Sequence, residues 1–255
     1  KLIYLDMFMI KKMIPVGIMQ GRLSPPQGGR FQFFPKDWEK ELLIAKEMGF
    51  DFIEWIFDWD NYEENPILKK DKLPKFIKSV CADYFMEYKL SKIVLERLRD
   101  SGMRVVIPFL EKMAIKTEEE KKEIKNILTS VSWGNVEVSL ETELAGEELK
   151  EFIDFIGLPN VGVCYDLGNC VSYGHNLLGD IKLLGKRIKE VHIKDRKIGS
   201  LQSVYLGEGD VNFKECLSLF KEIGFNGPFV LQAYRSTDYL ADAERQLKFI
   251  KELWN

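Results

Sequence analysis

Four polar residues close four successive apolar runs in the C-terminal half of the chain. Glu141 stands near the end of NVEVSLET and Asp166 ends NVGVCYD. His192 lies inside IKEVHIKD, and Gln232 follows the run GPFVL. Together they offer two carboxylates, one imidazole and one amide oxygen. That donor set suits a divalent ion such as Mn²⁺, Mg²⁺, Co²⁺ or Zn²⁺. Two ionised carboxylates would balance its charge, and neutral Gln232 would be a weak fourth ligand. Positions would stay open for substrate oxygens, as a catalytic ion requires. Taken singly, a carboxylate at a strand end is more often a cap or an ion-pair partner, and His192 could be a satisfied core histidine. The recurrence at one level of consecutive runs is what points to a metal.

Further polar residues belong to the same rim. Glu54 sits in the second apolar run, and Glu208 lies in the loop GEGD. Arg22, Lys194, Arg196 and Arg235 follow the first, seventh and eighth runs, where they could form an anion site for a phosphate or carboxylate. The plainer alternative is that they neutralise Asp195, Asp210 and their neighbours. Asn169 is expected to shape the turn after Asp166. The aromatics Phe31, Phe33, Phe34, Trp55, Phe57 and Trp59 gather after the first two runs. One wall of a sugar pocket and a core between strands and helices are even readings for Trp55 and Trp59. For Phe52 and Ile53 the core is favoured.

The elements that must position these groups repeat as strand then helix. Strands are expected at 15–21, 51–57, 76–85, 103–110, 135–142, 160–166, 188–195 and 227–235. Amphipathic segments lie between them, among them DWEKELLIAKEMGF, ended by Gly49, and SKIVLERLRDSG, with Ser91 as N-cap and Gly102 as its stop. Thr117 and Glu120 have the spacing of a capping box before EEEKKEIKNIL. Helices are also expected at EELKEFIDFIG, DIKLLGKR, FKECLSLFKEIGF and LADAERQLKFIKELWN. Eight such units in 255 residues, with no break in composition, imply a parallel sheet closed as a single (β/α)₈ barrel. The expected division is an N-terminal tail over residues 1–14 and a barrel over 15–255. In such a barrel the C-terminal strand ends carry the chemistry, which is where the four polar residues fall.

Composition narrows the function classes. Hydrophobic residues make up 45% and charged residues 30%, with a net charge of −3. A soluble globular protein without a basic stripe follows, which argues against nucleic-acid binding. There is no GxGxxG after the first strand and no GxxxxGK[ST], so nucleotide-fold signatures are absent. The four cysteines, Cys81, Cys164, Cys170 and Cys216, form no CxxC pair and read as reduced, small apolar residues of a cytosolic protein. The opening KLIYLDMFMIKKMIP is broken by Asp6, and its basic pair follows the apolar run, unlike a signal segment. No apolar stretch is long enough for a membrane helix. A cytoplasmic location is expected, with no membrane partner.

Several motifs resemble the xylose-isomerase-like superfamily of TIM-barrel sugar isomerases and epimerases, especially its ketose-phosphate 3-epimerases. They are LET at 140–142, YDLGN at 165–169, VHIKD at 191–195, and LGEGDVNF at 206–213 followed by GFNGPFVLQ. GIMQGRLSPP and GFDFIEW in the first half are similar to the same group. The resemblance implies metal ligands at Glu141, Asp166, His192 and position 232, where the family carries glutamate and this chain has Gln232.

It also implies proton transfer next to a carbonyl, through an enediolate stabilised by one divalent metal ion. The expected partner is a small-molecule sugar or sugar phosphate, with at most a second copy of the chain as a homodimer. Glutamine does not titrate, so Gln232 cannot serve as a second base. Either Glu141 acts alone, carrying a proton along one face between adjacent carbons, or Glu54, Glu111 or Glu208 supplies the other base. A non-catalytic sugar-binding barrel and an inosose-type dehydratase are the alternatives. An AP endonuclease would need a histidine-rich trinuclear zinc site, and two histidines cannot furnish it.

Overall fold

Short runs rich in Val, Ile and Phe alternate with helical segments whose apolar residues recur every three or four positions. In the computed structural model these become a closed barrel. The structure describes residues 14–27, 32–57, 62–69, 73–82, 94, 96–99 and 101–254. Among them the barrel strands are β1 (Val16–Met19), β2 (Phe52–Phe57), β3 (Ile77–Ala82), β4 (Arg104–Phe109), β5 (Glu137–Thr142), β6 (Val161–Asp166), β7 (Ile188–Ile193) and β8 (Phe229–Leu231). All neighbouring pairs are parallel, in the order β1-β8-β7-β6-β5-β4-β3-β2, with β2 returning to β1. Closure leaves the barrel sheet itself without an open edge.

The strands are shorter than the apolar runs suggest, because a parallel ladder ends where the neighbouring strand leaves the sheet. Strand eight shrinks most: Gln232 still donates its backbone N–H to Ile193 O at 3.0 Å, but the chain then turns away. The capping box forms as its spacing predicts, with Thr117 and Glu120 capping each other ahead of the helix Glu118–Ser130. Gly157 ends Gly146–Ile156 in the left-handed region at φ 70°. The helix expected at DIKLLGKR starts earlier, at Leu177, because the Asn176 side chain caps it by accepting from Gly179 N. The segment 83–93, which includes Ser91, and residues 1–13, Phe31 and Trp59 lie outside the described residues. Ile14, expected in the tail, is buried in the core.

Two apolar cores result. The large one fills the space between strands and helices and includes Ile53, Trp55 and Phe57. A small one of Met19, Phe52, Ile56, Cys81 and Val230 lies within the barrel. Phe52 therefore belongs to the interior and not to the barrel–helix layer expected for it. Side chains alternate across a strand, so this sets the parity of β2: Phe52, Glu54 and Ile56 face inward, Ile53 and Trp55 outward. By the same alternation Val230 puts Gln232 on the inner face. The register pairs Asp166 with His192 and Leu140 with Val163, which brings the ends of β5, β6 and β7 to the same mouth, with Glu141 beside Cys164.

Candidate metal centre at the barrel mouth

His192 is wholly buried, and acidic groups stand on both sides of its ring. Nδ1 lies 3.5 Å from Glu141 Oε2 and 3.9 Å from Asp166 Oδ2. Neither ring nitrogen has a well-aligned hydrogen-bond partner. Two ligand atoms each about 2.1 Å from one ion stand roughly 3.0–3.5 Å apart at octahedral or tetrahedral angles. The spacing of His192 and Glu141 fits that range, and Asp166 lies slightly wider. The imidazole and the Glu141 carboxylate, with an orphaned buried nitrogen between them, fit a divalent ion. Asp166 stands at the edge of the site, outside the set of Glu141, Cys164 and His192 whose ligand atoms lie within 4.8 Å of one another.

Asp166 also begins a short helix, Leu167–Ser172, absent from the sequence-based expectation. Its carboxylate caps that helix, Oδ1 accepting from Asn169 N at 2.8 Å. The turn carries Asn169 back over the site. There Asn169 Nδ2 donates to Glu141 Oε1 at 2.9 Å, and its Oδ1 accepts from Lys194 Nζ at 3.3 Å. Lys194 Nζ is 2.7 Å from Asp166 Oδ2. Gly168 makes this approach possible: a Cβ there would meet the Lys194 stem at 2.9 Å. Asn169 thus does more than shape a turn, since it ties both carboxylates together.

The electrostatics follow from burial and proximity. Burial pushes Asp166 up, but the Lys194 ammonium and His192 outweigh it and hold the carboxyl below its usual range. Burial lowers His192, yet the field of Cys164, Glu54 and Glu141 raises it well above an ordinary histidine. Cys164 is itself kept protonated by burial, so the carboxylates carry that field.

Beneath the mouth lies a second polar layer. Glu54 Oε1 is 3.2 Å from His192 Nε2, and Glu190 Oε1 is 3.8 Å from the same nitrogen. The Ser79 hydroxyl lies 3.3 and 3.2 Å from the two Glu190 oxygens. Burial, then Glu190, drives the Glu54 pKa well up; burial also opposes ionisation of Glu190, but Glu54, His192 and Arg104 lower it overall. The potential ligand atoms fall into two groups sharing His192: Glu141 with Cys164, and Glu54 with Glu190. Cys164 and Glu190 were not among the expected site residues. The signal for them was strand alternation, since each stands two residues before Asp166 or His192 on the same inner face.

The remaining expected site residues divide. Arg22 is fully buried, and its Nη1 donates to Ala233 O at 2.7 Å. Burial and then Arg235 lower its pKa to about 9, with Asp166 opposing and Arg196 adding to the drop. Arg235 donates back to the Gly21 and Ser24 carbonyls and lies over the Phe33 ring. The two arginines therefore cross-tie the loops after β1 and β8. Glu41 holds the same first loop from below, its Oε1 accepting from Gly21 N at 2.9 Å and Leu23 N at 3.0 Å.

Glu208 is not brought to the cluster: it pairs with Arg245 at 2.9 Å, both more than half exposed. The GEGD loop is organised instead by Asp195, which accepts from Gly207, Gly209 and Val211 N. Glu111 is exposed beyond β4 with φ at 53°. Trp55 points away from the interior. It donates to Asn65 Oδ1 at 3.0 Å and packs on Phe34 and Trp38, so the core reading holds for it over the sugar-wall one. All four cysteines are buried. No helix among the described residues is long and apolar enough to cross a membrane.

Residues 92–253 match the family model described as the xylose isomerase-like TIM barrel. An inosose isomerase of Bacillus velezensis is 26% identical, over 84% of this chain and 89% of that one. The L-ribulose-5-phosphate 3-epimerase UlaE of Escherichia coli is 24% identical, over 95% and 96%. Among solved structures, an L-ribulose 3-epimerase superposes with a TM-score of 0.72 at 16% identity, covering 95% of each chain. The IOLI protein with a bound zinc atom superposes at 0.69 and 21% identity, covering 94% of this chain and 96% of that one. At these identities the structural likeness establishes the shared barrel.

Proposed function

The chain belongs to the xylose isomerase-like TIM-barrel family, and on that premise we propose that it is a divalent-metal-dependent isomerase of a sugar or sugar phosphate. The proposed reaction moves a carbonyl between adjacent carbons, with Glu141 as the general base. Glu141, Asp166, His192 and Gln232 would hold the ion. A divalent ion bound there withdraws charge from a carbonyl oxygen and so acidifies the neighbouring C–H.

The protein's own groups do the rest. Glu141, oriented by Asn169 Nδ2, takes the proton from the carbon next to the carbonyl. The substrate becomes an enediolate, the hydroxyl proton passes from the neighbouring oxygen to the former carbonyl oxygen, and Glu141 returns its own proton to the former carbonyl carbon on the same face. Lys194, fixed against Asp166, keeps a positive charge beside the reacting oxygens. Arg235 and Arg196 both stand near enough to Arg22 to oppose its charge, and this gathering of cations supports a phosphate or carboxylate on the substrate.

The observation carrying isomerisation over epimerisation is the fate of the other carboxylates. Inversion needs a second titrating group on the opposite face. Gln232 does not titrate, Glu54 lies in the polar layer beneath His192, Glu111 is exposed beyond β4, and Glu208 faces Arg245 in solvent. The inosose isomerase and UlaE named above support the reaction class, and the lack of a second mouth-facing base among the described candidates favours the one-face variant. The test is solvent-deuterium exchange over a panel of ketoses, inososes and their phosphates with Mn²⁺ or Co²⁺ present. Deuterium should enter at the carbons flanking the carbonyl without a 3-epimer, and Gln232→Glu should add 3-epimerisation. A 3-epimer from the unaltered protein overturns the one-face mechanism, and no exchange with any substrate favours a sugar-binding barrel.

A further inference from the structure

An imidazole that offers Nδ1 to a cation must carry its proton on Nε2, and that N–H needs an acceptor where no water competes. In this barrel Nδ1 of His192 faces the mouth carboxylates, while Nε2 faces down into the barrel. Glu54 Oε1 stands 3.2 Å from Nε2, nearer than Glu190 at 3.8 Å, with both residues completely buried. The pair is within reach of a hydrogen bond but not aligned as one here, and it leaves both Glu54 oxygens unsatisfied. β2 and β7 are not neighbours, since β1 and β8 lie between them. Glu54 therefore reaches His192 across the barrel interior, beside the apolar side chains of Met19, Phe52 and Ile56. Burying a carboxylate there costs several kcal/mol of hydration unless a partner compensates.

We propose that Glu54 is the positioning residue of the metal centre: it accepts the Nε2 proton of His192, fixes the ring, and leaves the Nδ1 lone pair aimed between Glu141 and Asp166. Glu190 buttresses the arrangement from below. It stands two residues before His192 on the same face of β7, and the Ser79 hydroxyl holds it. Ser79 is the register partner of Glu54 on β3, so the hydroxyl that holds Glu190 stands on the strand next to Glu54. Glu54 touches neither substrate nor ion in this scheme; it acts through the imidazole. The role rests on the metal centre proposed above.

The experiment measures Zn²⁺ binding by calorimetry for the unaltered protein, Glu54→Gln and Glu54→Ala, with ¹⁵N-histidine NMR of the zinc-loaded protein. Two histidines in the chain make the spectrum assignable through His175→Gln. The zinc-loaded protein should show His192 protonated on Nε2 alone. Removing such an acceptor typically weakens metal binding by about 10–100-fold, the loss expected for Glu54→Ala. Glu54→Gln, whose amide oxygen accepts the same proton, should recover most of it. Equal zinc affinity in Glu54→Ala and the unaltered protein overturns the positioning role while leaving the metal centre intact. So does a proton on Nδ1 in the zinc-loaded protein, which decides the matter even if Glu54→Ala does not fold. An unaltered protein that takes up no zinc overturns the metal centre itself, and this role with it.

Discussion

Glu41→Gln should flatten the pH dependence of stability. Glu41 is 2% exposed. One of its oxygens accepts two backbone N–H groups of the loop after β1, and the other makes no aligned hydrogen bond, with the Ser24 hydroxyl and Arg235 nearby. Burial outweighs those bonds and raises the carboxyl from 4.5 to about 7. Below pH 4.5 the folded and unfolded states both hold the proton. As pH rises towards 7 the unfolded chain releases it while the folded protein retains it, so stability falls. Above 7 both are ionised and the full cost of the buried charge is present. Linkage then gives a loss of about 2.5 kcal/mol between pH 5 and pH 8. Glutamine keeps the accepting oxygen and has nothing to ionise. Its buried NH₂ adds a roughly constant offset of about 1–3 kcal/mol, which drops out of the slope. Urea unfolding of both proteins at pH 5, 6, 7 and 8 reads the difference. The variant should gain on the unaltered protein by about 2.5 kcal/mol across that range. Parallel curves would refute the argument that Glu41 carries a buried, displaced charge beneath the loop.

Other substitutions separate orientation at the site from packing. Asn169→Ala removes the donor to Glu141 and the acceptor of Lys194; initial rates should fall about 10–100-fold, matching about 1.5–3 kcal/mol for charged hydrogen bonds. Trp55→Phe loses the bond to Asn65 behind the barrel and should cost about 1–2 kcal/mol in denaturant unfolding, with KM unchanged. Glu208→Gln breaks an exposed pair with Arg245 and should leave stability within about 0.5 kcal/mol and turnover unaltered.

The mouth was legible in the sequence because each inner-face polar residue ends an apolar run, and a parallel strand must display its last inward residue at the rim. Glu141, Asp166 and His192 stand together for that reason. The layer below was harder to read. Glu190 and Cys164 sit inside apolar runs, where a polar residue registers as an interruption unless strand parity is assigned. Glu54 was legible as an inward carboxylate, but its depth was not. That depth depends on the stagger of β2 against β7, a property of barrel closure and not of any local pattern. Trp55 shows the same limit in reverse, since parity alone places it outside. The helix Leu167–Ser172 carries no charged periodicity and is capped by Asp166 itself, so nothing in LGNCVS announces it. The outward turn of Glu208 depends on Arg245, 37 residues later, and no spacing rule connects them.

The most direct test of the metal centre is anomalous diffraction from crystals grown with Mn²⁺, recorded near the manganese absorption edge. One peak is predicted at the barrel mouth, within about 2.0–2.4 Å of His192 Nδ1 and of oxygens from Glu141 and Asp166. No peak there, or a peak in the lower layer between Glu54 and Glu190, would contradict the assignment.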